Sequence, residues 1–105
     1  MGNFETQVLL AVLRKGDDAY GVSIGKELEL RTGKRASSGA VYTTLERLRS
    51  KGYLKTRAGE PTPDRGGRRK QYYRVTGEGR AALEDSLNDI AGLSYGVKAL
   101  RGARA

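Results

Sequence analysis

Apolar side chains recur at helical spacing in four segments of this chain, and two short segments between the third and the fourth alternate as strands do. The first helix is predicted over residues 4–14, with Asn3 as its N-cap and Gly16 as its end. Every position from Val8 to Leu13 is apolar, so this part of the helix has no polar stripe. We therefore expect the helix to pack against its own core and against a second surface, such as another subunit.

Residues 20–31 and 39–51 are predicted to form the second and third helices. Each carries apolar side chains on one face, spaced three or four residues apart: Tyr20, Ile24 and Leu28 in the second helix, and Val41, Leu45 and Leu48 in the third. Ser37 and Ser38 supply an N-cap for the third helix, and Gly52 occupies the place of a left-handed C-terminal residue.

A hairpin and a last helix complete the pattern. Residues 53–57 and 71–75 are predicted strands, and the loop between them, residues 59–67, contains both prolines of the chain. Thr76 is a suitable N-cap for a helix that begins near residue 78.

This order of elements is that of a winged helix-turn-helix, a mainly α (α+β) fold in which a β-hairpin wing follows three helices. We expect a winged helix-turn-helix DNA-binding domain over residues 1–77. Residues 78–105 are expected to form a C-terminal dimerisation helix and a basic tail.

The composition adds a charge imbalance and removes several kinds of chemistry. The 105 residues carry a net charge of +8, with 20 Lys and Arg against 12 Asp and Glu, which favours a polyanionic partner and nucleic acid first. Without cysteine or histidine the chain has no disulfide, no thiolate or imidazole metal ligand, and no catalysis based on Cys or His. We therefore expect no metal, no cofactor and no enzymatic activity.

The same inventory bears on location. No apolar run approaches the ~20 residues that cross a bilayer, and the N-terminus has no signal-peptide pattern. The absence of cysteine fits a reducing compartment. A cytoplasmic location without a membrane partner is therefore expected.

The third helix is the candidate recognition helix. Its inward stripe leaves Ala40, Thr43 and Arg47 on the opposite face, with Gly39 at the N-terminal tip. Small and hydroxyl side chains let a helix lie deep in a major groove, where N-terminal residues touch base edges. The predicted DNA contacts of this region are Ser37, Ser38, Gly39, Ala40, Tyr42, Thr43 and Arg47. An ordinary helix with a solvated basic face is the alternative.

The hairpin repeats this charge bias. Between residues 65 and 74 five cations occur with no acid among them, and two glycines allow the backbone to approach a surface closely. Arginines at a loop tip suit phosphate contact or insertion into a narrow minor groove. The predicted wing contacts are Arg65, Gly67, Arg68, Arg69 and Lys70. A solvated charge run is the alternative.

Three tyrosines lie next to these segments. Tyr20 opens the second helix beside the expected DNA backbone. Either its hydroxyl donates to a phosphate, or Tyr20 is a core aromatic whose hydroxyl lies at the surface, and both alternatives stand. Tyr72 and Tyr73 are successive on a strand, so one is expected to face inward and the other solvent.

The last helix carries an apolar stripe longer than one small domain needs. Its members recur at spacings of 4, 3, 3, 4 and 3, close to a coiled-coil seam: Leu83, Leu87, Ile90, Leu93, Val97 and Leu100. With the first helix they predict a homodimer interface made of Val8, Leu9, Val12, Leu83, Leu87, Ile90, Leu93 and Val97. Gly92 and Gly96 leave open whether this helix crosses a partner closely or breaks.

Three stretches of the chain resemble the PadR family of regulators. Tyr20-Gly21 followed by Lys26-Glu27-Leu28 is similar to the second helix of these proteins, and Ser38-Gly39-Ala40-Val41-Tyr42 is similar to their recognition helix. The most specific stretch is GGRRKQYYRVTGEG, residues 66–79. The resemblance implies a homodimer held by the first and last helices, promoter binding, usually repression, and in some members release by a small molecule.

The sequence therefore predicts a sequence-specific transcriptional repressor that binds double-stranded DNA as a homodimer, on an inverted-repeat operator. Some PadR members stack flat ligands between tryptophans at the dimer interface. This chain has no Trp, so this way of binding a ligand is not expected here, and no residue pattern indicates an effector. The alternative function is a winged-helix module that binds protein and not DNA. Such a module would not need both the recognition helix and the wing to be basic.

Overall fold

The structure confirms the predicted order of elements. It is a computed structural model and describes residues 1–61 and 69–100. A short 3₁₀ turn joins the first two helices, and the strands form an antiparallel hairpin. The elements are α1 (Asn3–Lys15), α2 (Gly21–Thr32), α3 (Ser38–Ser50), β1 (Leu54–Pro61), β2 (Arg69–Val75) and α4 (Gly77–Ser94). The protein thus has the mainly helical winged-helix fold that the sequence predicts.

Local side-chain chemistry shifts two of the predicted helix starts. α1 already includes Asn3, because the carboxylate of Glu5 accepts a hydrogen bond from the N–H of Gly2 at 3.1 Å and so makes Gly2 the N-cap. α2 begins one residue later than predicted, since Tyr20 is extended and its N–H donates to Ser23 Oγ at 2.9 Å. α1 and α2 therefore both begin where a side chain within the first turn accepts the N–H of the capping residue.

The core lies between the first three helices and the inner face of the hairpin. Its largest fully buried side chains all come from these helices: Leu9, Ile24, Leu45, Leu48, Val8, Val12 and Val41. Leu54 and Tyr73 add the contribution of the hairpin, and Leu83 adds that of α4. Burying one large aliphatic side chain stabilises a fold by roughly 1.5–3 kcal/mol, so this cluster positions every other element.

Four side chains predicted to lie at a dimer interface belong to this core. Val8 and Leu9 are 0% exposed, Val12 is 2% exposed and Leu83 is 3% exposed, so a partner cannot reach them. This part of the prediction is corrected because α1 is covered from several sides within one chain: it contacts α2, α3, β2 and α4. The chain itself therefore covers Val8, Leu9 and Val12 of α1, and a dimer surface has to come from other residues.

β2 lies between β1 and the segment that leads into α2. On one edge it pairs with β1, with Thr56 opposite Tyr73. On the other edge the N–H of Tyr73 donates to the carbonyl of Ala19 at 2.8 Å, and Tyr20 forms a β-bridge with Tyr72. Backbone hydrogen bonds on both edges therefore fix the hairpin relative to the start of α2.

Tyr73 is the inward-facing tyrosine of the pair on β2. It is almost completely buried, and its hydroxyl donates to the carboxylate of Glu46 on α3 at 3.4 Å. Burial, and then the negative charge of Glu46, raises the pKa of Tyr73 to about 12. The hydroxyl therefore stays protonated and ties β2 to α3.

α4 starts where the backbone of Tyr53 passes close to it. Thr76 caps the helix as predicted: its Oγ1 accepts from the N–H of Gly79 at 3.0 Å and donates to the carbonyl of Gly52 at 2.6 Å. Gly52 is left-handed as predicted, with φ +82°. A Cβ on Gly79 would collide with the carbonyl of Tyr53, so the close approach requires a glycine at that position.

Beyond its first turns, α4 extends away from the core. The helix continues through Gly92 and ends at Ser94, before Gly96 with its φ of +74°. From Leu87 to Leu100 every residue is exposed. None of the helices within the described ranges is long and apolar enough to cross a membrane.

The substitution Gly79→Ala is expected to lower the free energy of unfolding by about 1–3 kcal/mol. The added methyl group would collide with the backbone of Tyr53, which can move only together with β1. Gly77→Ala is the matched control in the same helical turn. Nothing lies within 4 Å of a Cβ there, so its effect should stay within about 0.5 kcal/mol. Urea unfolding followed by circular dichroism measures both variants, and equal effects would contradict the close approach at Gly79.

Tyr73→Phe is expected to change stability in a pH-dependent way. At neutral pH the loss should be no more than about 1 kcal/mol, because the hydrogen bond is long. The pKa of Tyr73 in the folded state is raised from 10.0 to about 12. The stabilising contribution of the Tyr73 hydroxyl is therefore present below pH 10 and is lost as the pH rises toward 12. Urea unfolding of both proteins across this range should show the wild type losing stability relative to Tyr73→Phe. A constant difference would contradict the raised pKa.

Candidate nucleic-acid interface

The outer face of α3 is exposed, as the spacing of its apolar residues predicts. The predicted contacts on the helix all face solvent: Ser38, Gly39, Ala40, Tyr42, Thr43 and Arg47. Ser37 caps the helix, because its Oγ accepts a hydrogen bond from the N–H of Ala40 at 3.1 Å. The small residues of this face therefore lie next to an exposed helix N-terminus, whose dipole favours an anion.

Tyr42 lies against the first residue of α2. A Cβ placed on Gly21 would overlap the ring and hydroxyl of Tyr42, so the ring packs directly on the glycine. Tyr42 nevertheless keeps 47% of its surface exposed. The start of α2 and the outer face of α3 therefore form one continuous surface. The sequence pattern did not reveal this contact, because the contact joins faces of two different helices.

A tyrosine–cation cluster, made of Tyr20, Tyr72, Lys70 and Arg57, lies where the hairpin meets α2. The rings of Tyr20 and Tyr72 meet edge to face, with centroids 5.7 Å apart. Lys70 Nζ lies 4.3 Å from the centre of the Tyr20 ring, and the guanidinium carbon of Arg57 lies 4.5 Å from that of Tyr72. Cation–π contacts at exposed sites contribute roughly 0.5–1 kcal/mol each. The cluster therefore holds Lys70 beside the start of α2.

Arg57 is a member of this surface that the sequence did not single out. It stands opposite Tyr72 in the hairpin register, and its guanidinium also donates to the carbonyl of Asp17 at 3.1 Å. One arginine on a predicted strand carries no signal of its own. Only the strand register, which the sequence did not fix, brings it over the tyrosine ring.

The cations around α3 fall into a paired and an unpaired group. Arg49 donates to Glu46 at 2.7 Å, and Lys51 donates to Glu5 at 3.0 Å. The hydrogen bonds from Arg49 hold the pKa of Glu46 below its ordinary value, so its charge is offset locally. Within the described part of the chain, no carboxylate oxygen lies within 4.0 Å of the charged groups of Lys34, Arg35 and Arg47. This surface therefore has a positive charge excess.

The predicted wing contacts fall only partly in the described residues. Arg65, Gly67 and Arg68 lie outside them, and Arg69 is described by its backbone alone, which pairs with Pro61. Lys70 is the predicted wing contact whose side chain is described, and it lies on the ring of Tyr20, itself partly buried. The structure thus brings Tyr20 and Lys70 together next to the start of α2.

The apolar residues of α4 beyond Leu83 form an exposed stripe. Ile90 is 55% exposed and Leu93 is 82% exposed. The exposed large apolar side chains of this segment are Leu87, Ile90, Leu93, Tyr95, Val97 and Leu100. On α1, Leu13 is also exposed. The described part of the chain leaves these apolar side chains uncovered.

Known proteins share both the sequence pattern and the fold. The sequence profile of the PadR-like transcriptional regulator family matches residues 9–85. An uncharacterized protein from Lysinibacillus sphaericus is 30% identical over 92 residues, which are 86% of this chain and 80% of that protein. A transcriptional regulator from Clostridium thermocellum is 29% identical with a TM-score of 0.70, over 81% of this chain and 79% of that chain. A PadR family regulator from Eggerthella lenta is 26% identical with a TM-score of 0.71, over 93% and 83% of the two chains. The matched residues run from α1 through the hairpin into α4, and the chain belongs to the PadR-like family of transcriptional regulators.

Proposed function

We propose that this regulator is a homodimeric repressor that binds specific double-stranded DNA at an inverted-repeat operator. One observation carries the proposal: the outer face of α3, the start of α2 and the tyrosine–cation cluster form one continuous surface with an excess of positive charge among the described residues. Membership in a family of transcriptional regulators supports DNA as its partner. Repression is the direction that the PadR resemblance favours, and action on chromosomal DNA favours a cytoplasmic location.

The outer face of α3 is proposed to read the bases. Gly39 and Ala40 are small enough to let the helix lie deep in the major groove, and both are exposed. Thr43 and Arg47 follow on the same face, one turn apart, where a hydroxyl and a guanidinium reach base edges. Arginine pairs in a bidentate manner with guanine, so Arg47 is the stronger candidate for base discrimination.

The flanks of α3 are proposed to hold the phosphate backbone. Ser37 and Ser38 present the helix N-terminus, which favours an anion. Tyr20 and Lys70 lie together next to the first residue of α2. The remaining proposed phosphate contacts belong to the wing: Arg65, Gly67, Arg68 and Arg69. Such contacts set the position of the protein on the duplex without reading its sequence.

A second copy of the chain is the proposed occupant of the α4 stripe. Its central members, Leu87, Ile90 and Leu93, are apolar, exposed and spaced three residues apart, as in helix pairing. Leu13 takes the place of the buried α1 residues in this interface. Two copies related by a two-fold axis would place their α3 helices on half-sites about 34–36 Å apart, or a multiple of this.

Thr43→Ala and Lys70→Gln are expected to separate reading from positioning. Loss of a direct base contact by Thr43 should reduce discrimination at one base pair by roughly 1–3 kcal/mol. Loss of a phosphate contact by Lys70 should weaken binding to all sequences about equally and lower the salt slope by ~0.9. Fluorescence anisotropy titrations at several salt concentrations, on operator and on scrambled DNA, measure both quantities.

Lys98→Gln is the control for these titrations, because it removes the same charge from an exposed position beyond α4. Its affinity and salt slope should stay close to those of the wild type. If Lys70→Gln changed sequence preference and Thr43→Ala changed only the salt slope, the two roles would be reversed. If neither variant affected DNA binding, a protein-binding module would become the better function.

Ile90→Glu is expected to split the dimer, because a carboxylate buried in an apolar interface without a partner costs several kcal/mol. The weakening of the dimer should be about 100-fold or more, which corresponds to about 3 kcal/mol. Leu30→Glu is the matched control, since Leu30 is a 72% exposed leucine on α2. Sedimentation equilibrium at micromolar concentration should give twice the 11.4 kDa chain mass for the wild type and for Leu30→Glu. A wild-type monomer would contradict the proposed dimer.

A further inference from the structure

The ring of Tyr72 lies beside an irregularity in β1. Ala58 pairs with Gln71, and the next paired residues are Pro61 and Arg69. β1 therefore carries one extra residue between these two pairs. Such a bulge bends a strand and increases its local twist. The direction in which the hairpin continues toward the wing loop therefore depends on how the bulge is held.

Gly59 lies inside this bulge and is in direct contact with the Tyr72 ring. A Cβ on Gly59 would stand 2.5 Å from Cε2 of Tyr72 and 3.3 Å from the carbonyl oxygen of Lys70. Glycine within a strand often marks a bulge or a place where another group approaches the backbone closely. The observed position of the Tyr72 ring therefore requires a glycine at residue 59.

Arg57 lies over the same ring. Its guanidinium carbon is 4.5 Å from the ring centroid of Tyr72, and one guanidinium nitrogen donates to the carbonyl of Asp17 at 3.1 Å. Asp17 belongs to the 3₁₀ turn that precedes α2. A planar guanidinium stacks on a ring and donates in fixed directions at the same time, which a compact ammonium does not reproduce. Arg57 therefore joins β1 to the Tyr72 ring and to the turn before α2.

The contacts of Arg57 and Gly59 favour a role in positioning over a direct contact with DNA. The guanidinium of Arg57 already has a ring and a carbonyl as partners within the chain, and a phosphate would compete with both. Gly59 carries no charge. What the two residues share is the Tyr72 ring, which meets the Tyr20 ring edge to face at the start of α2. This ring therefore connects the bulge to the helix that precedes α3.

We propose that Arg57 and Gly59 are positioning residues for DNA binding, because they hold the Tyr72 ring and so set the direction of the hairpin relative to α2 and α3. This inference rests on the proposed function. Without this hold, only a fraction of the molecules has its wing aligned with the duplex, and the measured Kd rises by the reciprocal of that fraction. The salt slope stays the same, because the bound state makes the same phosphate contacts.

Fluorescence anisotropy titrations at several salt concentrations test the proposal, on the duplex that selection from a random pool enriches. Arg57→Lys keeps the charge and loses the planar group, and Gly59→Ala leaves every charge in place. Both variants should raise the Kd about tenfold and leave the salt slope unchanged. Arg57→Gln should raise the Kd at least as much, again without a change of slope.

Two control variants should keep the wild-type Kd. Gly25→Ala adds a methyl group on α2 where nothing lies within 4 Å of it. Lys98→Gln removes one charge from an exposed position beyond α4. Circular dichroism in urea identifies the conditions under which every variant is fully folded, and the titrations are made there.

Nuclear Overhauser effects in the free protein give a readout that does not involve DNA. Contacts between the rings of Tyr20 and Tyr72 should be present in the wild type and weakened in Arg57→Lys and Gly59→Ala. Ring contacts of wild-type strength in both variants would overturn the proposal, because the hold on Tyr72 would then not depend on these residues.

The titrations contain a second way to overturn it. A salt slope lowered by ~0.9 in Arg57→Gln, with wild-type affinity in Arg57→Lys and Gly59→Ala, would make Arg57 a phosphate contact instead of a positioning residue. An equal rise of the Kd in Gly25→Ala would also contradict the positioning role. A wild type that binds no DNA would contradict the proposed function together with this inference. Wild-type affinity in all three variants of a chain that binds DNA would contradict this inference alone.

Discussion

The arrangement of the molecule depends on how one strand, β2, is held on both of its faces and both of its edges. Tyr73 is buried in the core and hydrogen-bonds to Glu46 on α3, while Tyr72 packs edge to face on Tyr20 at the start of α2. Because successive strand residues point to opposite faces, these two tyrosines attach the hairpin to two different helices. The relation between α3 and the root of the wing is therefore fixed by contacts within the chain itself.

Charge is distributed in a way that follows from this packing. Glu27 is almost completely buried and accepts hydrogen bonds from Arg14 at 2.8 Å and Arg31 at 3.0 Å, which joins α1 to α2. Glu5, at the start of α1, accepts from Lys51 just beyond α3. These acids are engaged inside the fold by other cations, so Arg47 faces solvent with no carboxylate oxygen of the described residues within 4.0 Å, although Glu5 is near enough to attract its charge. A surplus of positive charge in the sequence thereby becomes a surplus on particular surfaces.

The sequence predicted elements well where a repeating pattern carries the information. The spacing of Val41, Leu45 and Leu48 predicted which face of α3 is exposed, and Thr76 predicted the start of α4 within about one residue. The pattern misjudged α1, because an all-apolar stretch looks the same whether a partner or the chain itself covers it. The burial of Val8 arises from long-range packing that periodicity does not encode.

The spacing of apolar residues could not predict contacts between elements either, because these contacts also depend on long-range packing. The position of Tyr42 on Gly21 and of Arg57 over Tyr72 depends on helix crossing and strand register, neither of which a local pattern sets. The wing contacts among residues 62–68 rest on sequence alone, because the described residues do not include them.

Selection of bound DNA from a random double-stranded pool tests the central claim most directly. The claim is that a two-fold dimer reads bases through two copies of α3 while the flanking cations hold the backbone. It predicts enrichment of one sequence that occurs twice, as inverted half-sites whose centres lie about one helical turn apart or a multiple of it. Enrichment of a single unrepeated site would contradict the dimer, and retention of DNA with no enriched sequence would contradict base reading by α3.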